Sequence, residues 1–396
     1  MREEAQEELR AEPYTPARLE DWDGFVRSHP FASQGHLSAN FALAQSRYAA
    51  PNRSLMIYGS DGAVLGVLPL FELRTKALRA IAGRELKSGV EFPGGPLIHA
   101  GISPKRQSQV LDVLQTAVRG LAQSRNVDRI TIGYPNLVGD ELSIAHFGYL
   151  PLKEYGFLER NGVYYYLDLQ PGEEDLFRNL KDNCRRNIRA ARSKGARVRI
   201  LEDRKEWMGC YGLNLETLSD AQLTWSPEDM AVVWDYFIAP GHASAIAVTL
   251  EDRIASVVVF THVNKGGYYW IGFNHKPYIL QGANHYALWE AILCCKAKNI
   301  AMFEIGSKSF QGEKLKSISV FKERFGGTPA YALSGSLDLK PVKRHLLALA
   351  DLGVEHVSRN IRPALARLQR RRDGTAETAM QQNTGLAVGT PSGSQG

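Results

Sequence analysis

The chain has 396 residues, of which 44% are hydrophobic, 23% charged and 9% aromatic, and its net charge is +6. These proportions exclude a wholly disordered, collagen-like or coiled-coil chain. The four cysteines lack C-x-x-C spacing, no apolar run approaches the ~18 residues of a membrane span, and the N-terminus is acidic. We therefore expect a cytoplasmic protein without a disulfide framework, a metal ligand set or a signal peptide.

The first half of the chain has the pattern of a mixed α and β domain. Alternating apolar residues predict strands at 54–58 and 63–71, separated by a Gly-Ser-Asp-Gly turn at 59–62. A helical period covers 107–122, and strands are predicted at 127–133 and 161–169.

The second half repeats this plan. Residues 252–260 resemble 62–71, the helix predicted at 284–297 resembles that at 107–122, and 299–306 resembles 126–133. Two interpretations are open: two copies of one domain, which we favour, or a chance resemblance of strand–helix–strand units. The predicted fold class is α/β (α+β) with a tandem duplication.

Two short segments carry most of the positive charge. Residues 178–199 contain nine Lys or Arg and one Asp, and residues 340–372 contain nine Lys or Arg and two acids. Such segments suit a phosphate-bearing ligand, an RNA or an anionic lipid surface, although runs of charge are also common on solvated surfaces.

The first basic segment is predicted to form one helix that ends at Gly195. Apolar residues at spacings of three or four form its buried stripe: Phe177, Leu180, Cys184, Ile188 and Ala191. A row of cations follows one position later: Arg178, Lys181, Arg185, Arg189 and Arg192. Because like charges on one face repel, the row predicts an anionic partner; the alternative is a plain surface helix.

The second basic segment is predicted to be an amphipathic helix at 340–372, followed by a disordered tail rich in Gly, Ser, Thr and Gln at 373–396. The helix is expected either to bind an anionic membrane at its periphery or to pack on the second domain.

Three further segments are candidates for a site. Residues 319–329 place Lys322 and Arg324 at the rim of a predicted helix end. The Gly-rich loop at 88–97 has no nucleotide-binding pattern, so we interpret it as a plain turn. The aromatic strand at 267–275, which includes Tyr269, either lines a pocket or belongs to the core.

Several of these segments, taken together and in this order, resemble the Fem-type (FemAB/FemX-like) aminoacyltransferases of the GNAT superfamily. They are residues 180–198, 284–292, 302–307 and 320–326, with the strand at 64–71 and the Pro-Gly-Gly-Pro loop. The resemblance covers roughly residues 13–335. It implies an N-terminal tail at 1–12, GNAT-like domains at 13–165 and 166–339, and the C-terminal helix and tail described above.

The resemblance implies transfer of an acyl group to an amine. Fem proteins move an amino acid from aminoacyl-tRNA to a peptidoglycan precursor, and other relatives serve exopolysaccharide export or use acyl-CoA. Two features depart from the family pattern: the long helical arm is missing between Trp207 and Tyr236, and we find no acyl-CoA pyrophosphate loop.

By the same resemblance, Phe321 and Lys322 contact the phosphorylated acceptor, and Arg185 and Arg189 face the ligand cleft. Backbone N–H groups or Lys322 could hold the oxyanion, and Glu304, at a strand end, is either the general base or a structural carboxylate. We thus take Lys322 and Glu304 as catalytic candidates, and Phe321, Arg185, Arg189 and Tyr269 as substrate-binding candidates.

The expected function is transfer of an aminoacyl or other acyl group to an amino group of a peptidoglycan or exopolysaccharide precursor. The alternatives are an acyl-CoA-dependent N-acyltransferase that acts on a sugar or polysaccharide intermediate, and a non-catalytic protein that binds RNA or a membrane surface. We expect no permanently bound cofactor, a donor that is aminoacyl-tRNA or acyl-CoA, a small-molecule or lipid-linked acceptor, and no stable protein partner.

Overall fold

The computed structural model describes residues 8–77, 81–135, 151–160, 162–218, 224–279, 281–307 and 313–343. Residues Met1–Thr75 and Arg84–Leu339 form one compact unit, and Lys76–Gly83 and Lys340–Gly396 fall in a second. The predicted C-terminal helix beyond residue 343 and the predicted tail at 373–396 lie outside the described residues.

The described strands, in chain order, are β1 (Arg10–Pro13), β2 (Leu55–Tyr58), β3 (Val64–Leu68), β4 (Phe71–Ala77), β5 (Ile81–Ser88), β6 (Leu97–Ile98), β7 (Arg129–Gly133), β8 (Leu158–Glu159), β9 (Gly162–Asp168), β10 (Arg197–Ile200), β11 (Ala243–Leu250), β12 (Arg253–Val263), β13 (Gly266–Asn274), β14 (Met302–Ser307), β15 (Thr328–Ala332) and β16 (Ser334–Asp338).

The described α-helices are α1 (Leu19–Ser28), α2 (Ala39–Tyr48), α3 (Pro104–Ser124), α4 (Glu173–Asn179), α5 (Asp182–Ser193), α6 (Arg204–Gly209), α7 (Tyr211–Leu218), α8 (Pro227–Val233), α9 (Lys276–Ile279), α10 (Ala283–Ala297) and α11 (Glu313–Glu323). A π-helical turn, Trp234–Ile238, continues α8, and short 3-10 turns occupy Pro16–Arg18, Gln34–His36 and Pro151–Lys153. Within the described residues, no helix is both long and apolar enough to cross a membrane.

The two halves of the chain share the order of their antiparallel strands and the helix that follows them, but the first half is divided into two sheets and the second forms one. In the first half, β2, β3 and β6 are antiparallel neighbours, and α3 leads to β7, which runs parallel to β5. In the second half, β11, β12 and β13 are antiparallel neighbours, and α10 leads to β14, which runs parallel to β13. The strands that the sequence pairs as equivalents, β3 and β12, therefore occupy the same place, which confirms the predicted α/β fold with a tandem duplication.

The halves exchange one strand each. β16, from the end of the described chain, lies between β7 and β8 in the first half, whereas β9 lies between β14 and β15 in the second. The boundary expected between residues 165 and 166 therefore falls inside β9, and β16, expected in the second domain, completes a sheet of the first. At the N-terminus, β1 begins at Arg10, inside the segment 1–12 expected to be a tail.

Some elements differ from their predictions for local reasons. The strand predicted at 63–71 is divided into β3 and β4 around Pro69, because proline cannot donate to a strand ladder. The helix predicted from residue 107 begins at Pro104, because the Ser103 hydroxyl accepts a hydrogen bond from the Arg106 amide at 3.3 Å and proline suits the first helical position.

The seven-stranded sheet of the second half, in the order β10-β11-β12-β13-β14-β9-β15, has an apolar core on each face. Helices α4, α5 and α10 cover one face, with Cys184, Ile188 and Trp289 buried among them. The core on the other face joins residues of both halves, such as Phe92 from the first and Phe273 from the second. The first half therefore packs directly on this second face.

Candidate active site

β13 and β14 pair over only three residues and then separate. Their parallel register runs from Gly266 opposite Met302 to Tyr268 opposite Glu304. Immediately beyond it, β13 has an extra residue, Trp270, relative to β12, and β14 has an extra residue relative to β9. Bulges bend strands, so the two strands part at this point. We call this gap the strand opening.

Lys322, near the end of α11, reaches the strand opening. A Cβ atom added to Gly306 on β14 would collide with Nζ of Lys322, so the absence of a side chain there leaves room for the ammonium. Gly306 has a φ of +107°, a conformation that favours glycine. Nζ of Lys322 also lies 5.7 Å from the centroid of the Tyr269 ring, within the range of a cation–π contact.

Burial controls the charges beside the strand opening. It lowers the pKa of Lys322, an effect that the neighbouring Glu304 carboxylate opposes. Burial also raises the pKa of Tyr269 to about 12, so its hydroxyl stays protonated near neutral pH. Glu304 is 2% exposed. It is the last residue of β14 that pairs with β13, but it lies inside β14, which remains paired with β9 as far as Ser307, and not at the strand end that the sequence indicates. The structure thus brings together Lys322, Glu304 and Tyr269.

Phe321 precedes Lys322 but belongs to a different environment. Its ring is 5.0 Å from the ring of His285 and 5.4 Å from that of Phe325, both in edge-on contacts. Nδ1 of the buried His285, at the start of α10, lies 2.9 Å from Oδ1 of Asn284. Phe321 therefore packs α11 against the start of α10.

Arg185 and Arg189, the two arginines expected to bind substrate, contact neighbouring parts of helices α4 and α5. The Arg185 guanidinium donates hydrogen bonds to the carbonyl oxygen of Leu180, at 2.8 Å, and to that of Arg178, and it pairs with Asp182. It therefore holds the end of α4. Arg189 is exposed, and its guanidinium lies 5.3 Å from the centroid of the Phe177 ring. The described contacts do not place either residue with Lys322.

The Gly-rich loop of the first half, which the sequence indicates only as a turn, contacts the second half. Phe92, 1% exposed, packs edge-on against Tyr268 at 5.3 Å and against Trp270 at 4.9 Å. Its neighbour Glu91 accepts a hydrogen bond from Nε of Arg47 at 3.0 Å. A phenylalanine inside a Gly- and Pro-rich loop is the signal that could have found this contact.

The described part of the chain contains no group of three His, Cys, Asp or Glu side chains that could hold a metal ion. The polar groups beside the Lys322 ammonium are the Glu304 carboxylate and the phenol groups of Tyr268 and Tyr269. Such a set can stabilise an oxyanion and accept a proton.

No family model matches the chain. The crystal structure of FemX superposes on 85% of this chain and 100% of its own, with a TM-score of 0.64 and 14% identity. The structure of L-PGS from Bacillus licheniformis covers 86% of this chain and 98% of its own, with a TM-score of 0.51 and 12% identity. A C-terminal domain assigned to a lysylphosphatidylglycerol synthetase from Agrobacterium fabrum has a TM-score of 0.51 at 10% identity, over 86% of this chain and 96% of its own.

A stretch of 64 residues is also 30% identical to the proline–tRNA ligase of Synechococcus sp. strain CC9311. It spans 16% of this chain and 11% of the length of that protein. The structural similarities extend over most of the chain, and they agree with the repeated strand order found above. The chain therefore shares the fold of FemX and of L-PGS over most of its length.

Proposed function

We propose that this protein is an acyltransferase that moves an aminoacyl or other acyl group to an amino group of a cell-envelope precursor. The observation that carries the proposal is the Lys322 ammonium at the strand opening, beside Glu304 and Tyr269. The fold shared with FemX and L-PGS supports it. The acceptor class includes peptidoglycan and exopolysaccharide precursors.

In the proposed reaction, the acceptor nitrogen attacks the acyl carbon of an ester or thioester. The new C–N bond forms as the C–O or C–S bond breaks, the nitrogen gives one proton to Glu304, and the leaving oxygen or sulfur takes up a proton. Lys322 donates a hydrogen bond to the oxyanion of the tetrahedral intermediate. Because the donor is already activated, positioning can supply up to about 7–11 kcal/mol of the barrier reduction.

The donor is proposed to be aminoacyl-tRNA or acyl-CoA. The segment similar to a tRNA ligase supports charged tRNA, as does the exposed cationic surface of α5. The purified full-length chain would be incubated with labelled aminoacyl-tRNA or acyl-CoA and an amine acceptor of the peptidoglycan or exopolysaccharide class. Label in the acceptor identifies the donor, whereas RNA or liposome binding without transfer from either donor would favour the non-catalytic alternative.

Lys322→Ala is expected to lower kcat/KM by roughly 10- to 150-fold, because one hydrogen bond to a charged group is worth about 1.5–3 kcal/mol. The measurement is steady-state transfer of the acyl label, with circular dichroism to confirm that the variant is folded. Lys316→Ala is the matched control, because Lys316 is exposed on the same helix. Equal kinetics of the two variants would remove Lys322 from the site.

We further propose that the chain acts at the inner face of the membrane, held by the basic segment at 340–372. Several Lys and Arg residues near an anionic leaflet contribute about 1 kcal/mol each, which permits reversible attachment. The support is the sequence of this segment, which would bring the enzyme to lipid-linked precursors.

A further inference from the structure

A row of polar side chains crosses the seven-stranded sheet at the strand opening. Thr261 on β12 lies opposite Tyr268 on β13, Tyr268 lies opposite Glu304 on β14, and Glu304 lies opposite Tyr166 on β9. Directly opposed residues of neighbouring strands project from the same face. This face is the one against which the first half packs, so the row is enclosed between the halves. We call it the inter-half row.

The first half adds a second carboxylate. Phe92 touches the Tyr268 ring, which brings the adjacent Glu91 close to the inter-half row. Glu304 and Glu91 both raise the pKa of Tyr268, together with burial, which is the largest cause. Glu91 is held in place by Arg47, at 3.0 Å, and by the Tyr48 hydroxyl, which donates to the same oxygen.

Two residues close to Tyr268, Thr261 opposite it on β12 and Trp270 two positions along β13, each have a buried polar atom without a hydrogen-bond partner. Oγ1 of Thr261 and Nε1 of Trp270 are buried and make no hydrogen bond, and Thr261 is 0% exposed. Buried polar groups without a partner cost stability unless a ligand or water satisfies them. The Glu91 side chain is 16% exposed, and Tyr48, which donates to it, is 40% exposed, so Glu91 lies near the protein surface.

The charges around the row favour a cation. Arg47 is shared between two carboxylates, Glu91 at 3.0 Å and Asp229 at 3.4 Å, so its single charge does not balance both. The aromatic faces of Tyr268 and Trp270 attract cations as well. At Glu304, the negative charge is offset by the nearby Lys322 ammonium. A further positive group would bring this set to neutrality.

We propose that the inter-half row is a binding site for a primary ammonium group, held by Glu91 and Glu304 and completed by Tyr268 and Thr261. The inference rests on the proposed function, in which both substrates can carry such a group. The acceptor has an amine that is charged before it reacts, and an aminoacyl donor has an α-ammonium. Tyr268 and Glu304 are the last residues of β13 and β14 that pair with each other, so a group bound here lies next to the strand opening.

The test measures binding, so it does not depend on turnover. Isothermal titration of the full chain would use two probes, Nα-acetyl-lysine amide for the acceptor and 3′-alanylamino-3′-deoxyadenosine for the donor. Each is compared with its neutral analogue, in which the ammonium is acetylated. We expect one probe to bind at least about tenfold more tightly than its analogue, because a charged partner strengthens a hydrogen bond. The probe that shows this preference identifies which substrate uses the site.

Two variants assign the preference to these residues. Glu91→Gln is expected to reduce it about tenfold, whereas Glu290→Gln is expected to leave it unchanged. Glu290 is a matched control, because it pairs with Arg192 at 3.1 Å and its side chain is 21% exposed. Thr261→Val is expected to weaken probe binding without lowering thermal stability, since it removes a hydroxyl that has no partner.

Equal affinity for charged and neutral forms of both probes would overturn the proposal. So would a preference that survives in both Glu91→Gln and Thr261→Val with their thermal unfolding unchanged. A clear preference in the wild type without any acyl transfer would instead contradict the proposed function, so the two failures can be told apart.

Discussion

Gly306 shows how one residue determines what reaches the strand opening. Its positive φ and missing side chain leave the space that the Lys322 ammonium occupies. The Met-Phe-Glu-Ile-Gly-Ser segment therefore has two functions in a short stretch, because it supplies the Glu304 carboxylate and gives Lys322 access. A larger residue at this position would compete with the lysine for the same volume.

His285 is a residue whose contribution depends on pH. Burial, with a smaller effect from Arg324, lowers its pKa to about 4. The unfolded chain takes up a proton below about pH 6.5, whereas the folded chain does so only near pH 4. The free energy of unfolding is therefore expected to decrease as the pH falls from about 6.5 to 4, by up to about 3 kcal/mol for this residue.

The measurement is urea denaturation at several pH values between 7 and 4. His285→Gln replaces the imidazole with an amide that can form hydrogen bonds but does not titrate, so the stability of this variant should depend less on pH than that of the wild type. Burial also lowers the pKa values of His36 and His262 to about 4, so part of the pH dependence of stability should persist in the His285→Gln variant. His99→Gln changes an exposed histidine and serves as the control. Identical pH dependence in His285→Gln and the wild type would refute this role.

At the scale of elements, the basic segment forms two helices instead of the single helix that its periodicity predicts. The chain is extended at Leu180 and Lys181, between α4 and α5, and the Lys181 amide donates to the Arg324 carbonyl at 2.9 Å. This bond comes from a distant part of the chain, so it does not appear in the local pattern. The predicted stripe is still buried at Leu180, Cys184 and Ile188.

Arg185→Ala is expected to lower the free energy of unfolding by about 1–3 kcal/mol, because it removes the donors to the carbonyl oxygens of Leu180 and Arg178. The ion pair with Asp182 adds little, since that carboxylate is 93% exposed. Chemical denaturation measures the change. The adjacent, exposed Arg186→Ala is the control, expected within about 0.5 kcal/mol of the wild type. Unchanged stability with lost transfer activity would instead favour the substrate role that the family resemblance implies.

At the scale of the whole molecule, the exchange of β9 and β16 ties the two halves together. The five-stranded sheet of the first half contains β16, and the seven-stranded sheet of the second half contains β9. The core between the halves is continuous, with Phe92 packed against Trp270 and Phe237. Arg47 adds polar contacts across the same boundary, to Asp229 and to the ring of Trp225 at 4.1 Å. We therefore expect the halves to fold as one cooperative unit.

Two truncations test this expectation. A chain that ends after Leu339 keeps β16 and should retain the cooperative thermal unfolding of the full chain. A chain that ends after Leu333 lacks β16, which leaves the edges of β7 and β8 unpaired, and it should unfold at a lower temperature or aggregate. If the shorter chain unfolds at the same temperature as the longer one, the exchange does not link the halves.

The chain truncated after Leu339 also tests the membrane proposal. It should sediment less than the full chain with anionic liposomes, and neutral liposomes provide the control, because the attraction is electrostatic. Transfer to a soluble acceptor should persist. Equal binding to anionic liposomes by both chains would exclude the segment at 340–372 as the membrane contact.

The sequence by itself determined the elements and their repetition, because local periodicity reports which face of a helix or strand is buried. It located β3, α3, α10 and β14 within a few residues, and it placed Lys322 near a helix end, whereas Glu304, expected at a strand end, lies inside β14. Only the tertiary structure decided which strands are neighbours, since the partners of β9 and β16 are far away in the chain. It alone placed Glu91 near Tyr268, because residues from different halves meet only where two apolar faces are buried against each other.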